Sequence, residues 1–202
     1  MMYHISRFLL GLFYKALLKV KIMGKENIPD APYLVVSNHA SLADPPFVGE
    51  ACKKDAVDFM AKAELFDFPV LGSWTRSAGC IRVDRGAASA RSLKEAMKRL
   101  ALGRVVAIFP EGKRSEDGNL QQAKRGVGFL IAKAKVPVLP IYIEGSNKAF
   151  PKGGPLKIGT RVNVYVGKPM MPEEFIEEGQ ELVKDYEKVA VKVMDRIASL
   201  RK

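Results

Sequence analysis

The chain contains two imidazoles, His4 and His39. His39 lies in VVSNHASLADPP, where an apolar run ends near Ser37 and a helix start is written in Asp44-Pro45-Pro46. An imidazole at such a turn can take a proton from a hydroxyl, because it titrates near neutrality. It needs a partner to hold its tautomer, and Asp44 is the candidate. Five positions apart, the two do not share a helix face. They can meet only if His39 is in the turn and Asp44 is at the helix start. Each also has a plain structural reading: Asp44 as an N-cap before Pro at N1, and His39 as a surface turn histidine.

A second cluster is IFPEGKRSEDG, residues 108–118. Val105 to Phe109 read as a buried strand, after which Pro110-Glu111-Gly112 turns sharply. Gly112 lets the backbone approach a ligand closely. Lys113 and Arg114 can bind an anion, and Arg can fork onto phosphate oxygens. The plain alternative is a solvated charged loop. Two smaller basic features are GCIRVDRG (79–86), with Arg82 and Arg85, and AKRGVG (123–128), with Lys124 and Arg125. There is no GxSxG elbow, P-loop, GxGxxG or HExxH. Cys52 and Cys80 lack metal-ligand spacing, and two reduced thiols are expected.

These residues need a scaffold. Beyond residue 25, strand-like and helix-like stretches alternate. YLVVS (33–37), VDFMA (57–61), GCIRVD (79–84), RVVAIFP (104–110), VPVLPIYIEG (136–145) and RVNVYVG (161–167) read as strands, and LKVKIMG (18–24) could be another. In SARSLKEAMKRLALG, Ala90, Leu93, Met97 and Leu100 recur at helical spacing until Gly103. KRGVGFLIAKAK suits a short helix, and the last 30 residues open with a helix start at Met171-Pro172-Glu173-Glu174. The alternation predicts an α/β fold, a central largely parallel or mixed sheet flanked by helices. Pro137 and Pro140 inside one strand-like run predict an edge position or a bulge.

Composition narrows the partners. The chain has 202 residues, 48% hydrophobic and 27% charged, which suits one folded domain. A mean hydropathy of −0.04 excludes a multi-span membrane protein. Lys and Arg exceed Asp and Glu by 33 to 22, giving a net charge of +11. Such an excess suits nucleic acid, an anionic membrane or a phosphorylated substrate. No helix-turn-helix or RNA-recognition signature appears, and one Trp without basic–aromatic interleaving weakens a single-strand nucleic-acid reading. The first 25 residues carry Arg7, Lys15, Lys19, Lys21 and Lys25 and no acid. Ile5, Leu9, Leu10, Leu12, Phe13, Ala16, Leu17 and Val20 share one arc of a helix there. The uninterrupted apolar run, Phe8 to Tyr14, falls short of the ~20 residues that span a bilayer. The segment is either an interfacial helix, with cations at lipid headgroups, or an amphipathic helix packed on the domain.

Four blocks in order, NHASLAD (38–44), GCIRVDR (79–85), FPEGKRS (109–115) and VPVLPI (136–141), resemble the glycerolipid acyltransferases, within them the 1-acylglycerol-3-phosphate acyltransferases. The resemblance spans roughly residues 20–170. It implies His39 as catalytic base and Asp44 as its orienting partner. It implies glycerol-phosphate binding by Arg85, acceptor binding and site shaping by Glu111, Gly112 and Arg114, and phosphate contact by Lys124. Lys113 stands where the family usually has Thr, which bears on the acceptor headgroup. Pro140 would line the acyl side. The implied reaction moves an acyl group from acyl-CoA or acyl-acyl carrier protein to lysophosphatidic acid, with no bound cofactor and no metal. Glycerol 3-phosphate or another lysophospholipid is the alternative acceptor, and a non-catalytic basic module is the remote one. The implied layout is a single domain, 1–202, with residues 1–20 as a membrane-associated helix and 21–202 as the catalytic core. The implied location is the cytoplasmic face of an anionic membrane, peripheral or monotopic, with no nucleic-acid partner.

Overall fold

Leu34–Ser37 (β2) and Val105–Ile108 (β5) are buried at every position, as strands covered by helices on both faces must be. They sit at the middle of a seven-stranded sheet. The computed structural model describes residues 11, 14, 16–84, 90–176 and 185–202, the side chains of residues 70, 71 and 74 excepted. The other strands are Lys19–Met23 (β1), Val57–Lys62 (β3), Ile81–Val83 (β4), Val138–Glu144 (β6) and Arg161–Val166 (β7). Their order is β1-β7-β6-β2-β5-β3-β4. The five strands from β6 to β4 are mutually parallel, whereas β7 runs antiparallel to β6 and β1 follows β7. The mixed sheet expected from the sequence is present, including the additional strand at residues 19–23.

The helices are Asp44–Ala51 (α1), Pro69–Ser77 (α2), Ala90–Ala101 (α3), Arg125–Ala134 (α4), the single turn Ser146–Ala149 (α5) and Tyr186–Ala198 (α6). Successive strand residues point to opposite faces, so the core divides in two. Leu34, Val36, Val106 and Ile108 pack with α3, α4 and α6 on one face. Val35, Val105 and Ala107 pack with Phe47, Val48 and Ala51 of α1 on the other. Gly128 of α4 abuts α6 so closely that a Cβ there would fall 1.8 Å from the carbonyl oxygen of Tyr186. The strand β2 therefore feeds a helix on one face and its neighbour β5 feeds a helix on the other. That divergence opens a crevice at the carboxyl ends of the two strands, where α/β sheets bind their ligands.

Two expectations are refined. Pro140 lies in an interior strand, not at an edge. Ile141 pairs with Val166 and Val138 bridges Met170, so between these pairs two residues on β6 oppose three on the other side. The ladder shifts register there, and the missing N–H of Pro140 falls at that bulge. The segment opening at Met171 is a separate 3-10 turn, Pro172–Phe175, closed by a bond from the Met171 amide to Glu174 Oε1 at 2.9 Å. The C-terminal helix starts afresh at Asp185, whose carboxylate accepts from the amides of Glu187 and Lys188. Val189, Ala190, Val193 and Ile197 form its buried face.

In the N-terminal segment, Gly11, Tyr14, Ala16 and Leu17 are helical, but the helix expected over residues 1–20 stops before Leu18, because Lys19 and Val20 pair with β7 as the start of β1, and residues 1–10, 12, 13 and 15 lie outside the described residues. Tyr14 packs its ring 5.1 Å from that of Phe47 in α1, and Leu18 is buried. Among the described residues no helix is long and apolar enough to cross a membrane. Cys52 and Cys80 are free, and burial pushes both thiols up, to about 12 and about 11.

Candidate active site

The carboxyl end of β2 passes into the loop 38–43, which α1 closes. The structure brings His39 and Asp44 together here, with Nδ1 2.9 Å from Oδ2. Asp44 is fully buried, and the His39 side chain is 17% exposed. An ionised carboxylate only accepts, so it holds the proton on Nδ1 and leaves Nε2 as the basic nitrogen. Oδ2 also accepts from the amides of Ala40 and Ser41, both at 2.7 Å. The carboxylate thus folds the loop back on itself around the imidazole. It does not cap α1: Ala43 holds the N-cap position, and Asp44 is the first helical residue, followed by Pro45 and Pro46. The helix start was legible, but the carboxylate serves the loop before it. Phe109, just past β5, stacks on the imidazole at 4.2 Å and 20°, fixing its plane.

The loop after β5 is tied to the same histidine. The His39 amide donates to Glu111 Oε1 at 3.2 Å, and the Ser115 amide donates to the His39 carbonyl at 2.8 Å. Glu111 Oε2 accepts from Gln121 Nε2 at 2.9 Å. Glu111 is 1% exposed, although the resemblance sets it against the acceptor. Burial pushes its carboxyl up to about 7, the Asp44 carboxylate adding to the shift, while the bonds from His39 and Gln121 oppose it. Gly112 makes the turn at φ +69°, a conformation that costs glycine nothing. Ser115 accepts from the Gly118 amide and donates to Asp117, whose carboxyl is drawn down to about 2 by bonds from Asn119 and Ser115.

Cations rim this crevice. Lys113 and Lys124 are exposed and Arg114 is half-buried. The Lys124 stem lies over Gly112, its Cγ 3.4 Å from where a Cβ would stand. Among the described residues none of the three makes a salt bridge. Arg82 differs: it lies 3.6 Å from both Asp67 and Asp84, and over the Phe66 ring. Arg85 lies outside the described residues. Pro140 is buried against Gly167 and Leu200, on the sheet face that α6 covers. No group of three or more His, Cys, Asp or Glu could hold a metal ion among the described residues.

Sequence reasoning missed four residues. Asn38 bonds both main-chain groups of Ile143 on β6. Ser41 donates to the carbonyl of Phe150 at 2.8 Å. Phe109 and Gln121 complete the set. Asn38 and Ser41 gave a usable signal, being short polar side chains that bond to main chain at a strand end. Gln121 gave none.

Comparison with known proteins gives the family. The family model described as Acyltransferase matches residues 19–144, which include the whole of both loops. A chloroplastic 1-acyl-sn-glycerol-3-phosphate acyltransferase of Brassica napus is 36% identical over 161 residues, covering 75% of this chain and 45% of that protein. The 1-acyl-sn-glycerol-3-phosphate acyltransferase of Bacillus subtilis (strain 168) is 32% identical over 160 residues, covering 77% of this chain and 76% of that one. The crystal structure of the 1-acyl-sn-glycerophosphate (LPA) acyltransferase from Thermotoga maritima superposes with a TM-score of 0.79 at 28% identity, over 98% of this chain and 78% of that one. The chain spans less than half the length of the plant relatives it matches. The family model takes in more than half of the chain, and the bacterial relative aligns over three quarters of both proteins: the chain belongs to the acyltransferase family.

Proposed function

We propose that the chain transfers a fatty acyl group from an acyl thioester to the 2-hydroxyl of lysophosphatidic acid, giving phosphatidic acid. The observation that carries the reading is a base held by a fully buried carboxylate, next to three cations without salt-bridge partners among the described residues. The acceptor phosphate lies against Arg114, Lys113 and Lys124, with Arg85 completing the set, and Glu111 and Gly112 shape the turn that carries them. The hydroxyl proton passes to His39 Nε2 as the oxygen attacks the thioester carbonyl. Asp44 stabilises the imidazolium that forms. The tetrahedral adduct then collapses, the carbon–sulfur bond breaks, and the imidazolium returns the proton to the departing thiolate. No acyl-enzyme is needed, and the donor is acyl-CoA or acyl-acyl carrier protein.

The bilayer supplies the acceptor. Residues 1–20 attach the domain to an anionic membrane surface at its cytoplasmic face, with the cations of the first 25 residues at the headgroups. Lys113, exposed at the mouth, favours a second reading in which the acceptor is glycerol 3-phosphate or another lysophospholipid. The test is purified protein given lysophosphatidic acid, glycerol 3-phosphate and other lyso-acceptors, each with acyl-CoA and with acyl-acyl carrier protein. Phosphatidic acid as the main product supports the reading. Acyl transfer confined to another acceptor overturns the acceptor assignment, and release of free fatty acid alone overturns acyl transfer.

A further inference from the structure

We propose that Gln121 and Glu111 act as a positioning pair for the base: Gln121 fixes the Glu111 carboxyl, Glu111 fixes the His39 peptide, and the imidazole is thereby aimed by residues that touch neither substrate. The acyl-transfer reading underlies the kinetic arm of this proposal, and the structural arm stands without it.

The geometry is continuous from one residue to the next. Both Glu111 oxygens are engaged by protein donors, Oε1 by the His39 amide and Oε2 by Gln121 Nε2. At 1% exposure the carboxyl is walled off from solvent, whereas Lys113 and Lys124 are exposed. The Ser115 amide holds the His39 carbonyl from the other side, so both peptide units flanking the His39 Cα are fixed by one loop. The Asp44 bond and the Phe109 stack fix the ring, and Asp44 also holds the 39–40 peptide through the Ala40 amide, but neither reaches the His39 amide. That amide is held by Glu111, and among the described residues only Gln121 donates to Oε2, which would otherwise be a buried, unpaired acceptor.

Gln121 also suits either charge state of its partner. Its amide nitrogen donates to a carboxylate, and after a flip its oxygen accepts from a carboxylic acid. The groups facing the Glu111 carboxyl are the Asp44 carboxylate, the His39 amide and the Gln121 amide. Removing Gln121 takes away a bond that favours the charged form, so Glu111 binds its proton at higher pH. A protonated Glu111 without Gln121 must place its O–H among donors, and the His39 amide loses its steady acceptor.

The test uses the whole protein with carbon-13-labelled imidazoles. The chain has two histidines, so a His4→Gln variant assigns the His39 signal. The expected readout is a pH-dependent step in the His39 carbon-13 shifts that comes from Glu111, whose carboxyl burial pushes up to about 7. It moves to higher pH in Gln121→Leu and vanishes in Glu111→Gln. In acyl transfer, Gln121→Leu lowers kcat about ten- to hundredfold with the acceptor KM unchanged. Glu111→Gln recovers most of the kcat lost in Glu111→Ala, because an amide oxygen still accepts from the His39 amide. If Gln121→Leu does not fold, Gln121→Asn, one methylene short, takes its place with the same expected shifts. A native titration and native kcat in the Gln121 variants overturn the proposal, as does a raised acceptor KM with kcat retained. If the native protein transfers no acyl group, the acyl-transfer reading fails and the His39 titration alone decides the pair.

Discussion

Asn38 and Ile143 are joined by a closed pair of hydrogen bonds: the Ile143 amide donates to Asn38 Oδ1 at 2.7 Å, and Asn38 Nδ2 donates to the Ile143 carbonyl at 2.9 Å. A side-chain amide here stands in for the next rung of the β2–β6 ladder and moors the loop that carries His39. Asn38→Ala leaves two buried main-chain groups of Ile143 unpaired. The expected loss is about 2–4 kcal/mol of unfolding free energy, read from urea denaturation. A loss below about 0.5 kcal/mol, the range of an ordinary surface substitution, contradicts this role.

His39 and Asp44 should separate in their effects. His39→Ala removes the base and should lower acyl transfer about 10²–10⁴-fold while the melting temperature holds. Asp44→Ala loses activity as well, but it also strips the acceptor from the Ala40 and Ser41 amides. That variant should be less stable by about 1–3 kcal/mol. Parallel melts and rate assays on the two variants check the distinction. Equal stability for both argues against the carboxylate as the organiser of the loop.

The Glu111 carboxyl gives stability a pH dependence of definite sign. Its pKa rises from 4.5 to about 7 on folding, so between these values the native state holds more protons than the unfolded chain. Stability from this group is complete below pH 4.5 and declines as pH rises through 7. Glu111→Gln should flatten the stability profile in that window. Denaturant midpoints across pH 4.5–8 measure it, and an unchanged slope contradicts it.

A second buried carboxylate belongs to the fold. Asp58, at the start of β3, lies 2.6 Å from Arg104 and 3.1 Å from Arg99, and Arg99 also bonds Glu95 and the Gly79 carbonyl. Gly79 adopts φ +72°, and a Cβ there would stand 3.1 Å from the Asp58 carboxylate. Arg99→Met should cost about 3 kcal/mol, because it leaves a buried charge with one partner. The folded fraction should keep its kcat, since the cluster lies at the opposite end of the sheet from His39.

The strands were legible because helices on both faces make continuous apolar runs, and 33–37 and 104–110 could be little else. The His39–Asp44 pair was legible because six consecutive residues, from the loop to the start of α1, contain it. Pro140 misled in part: proline excludes a regular ladder, but the register shift that accommodates it is set by residues 166–170, far along the chain. The Asp58 cluster draws its members from β3, α3 and the turn before β5, and it takes in only Gly79 of the second block, so no single stretch of sequence displays it. Gln121 was invisible as a functional residue because its partner is a carboxyl ten residues away across a loop. Such pairings depend on tertiary closure and leave no period or spacing to read.

Glu111 and Ser115 grip the two sides of the His39 peptide, and the residues between them are Gly112, Lys113 and Arg114. One five-residue hinge plate therefore carries the cations and clasps the base. Any anion that draws Lys113 and Arg114 inward loads both clasps at once. Occupancy by an acceptor should slow amide hydrogen exchange at His39 and Ser115, even though neither amide reaches the ligand. The same mechanical union limits redesign: a change of headgroup preference made by reshaping this plate is also a change in the aim of the imidazole.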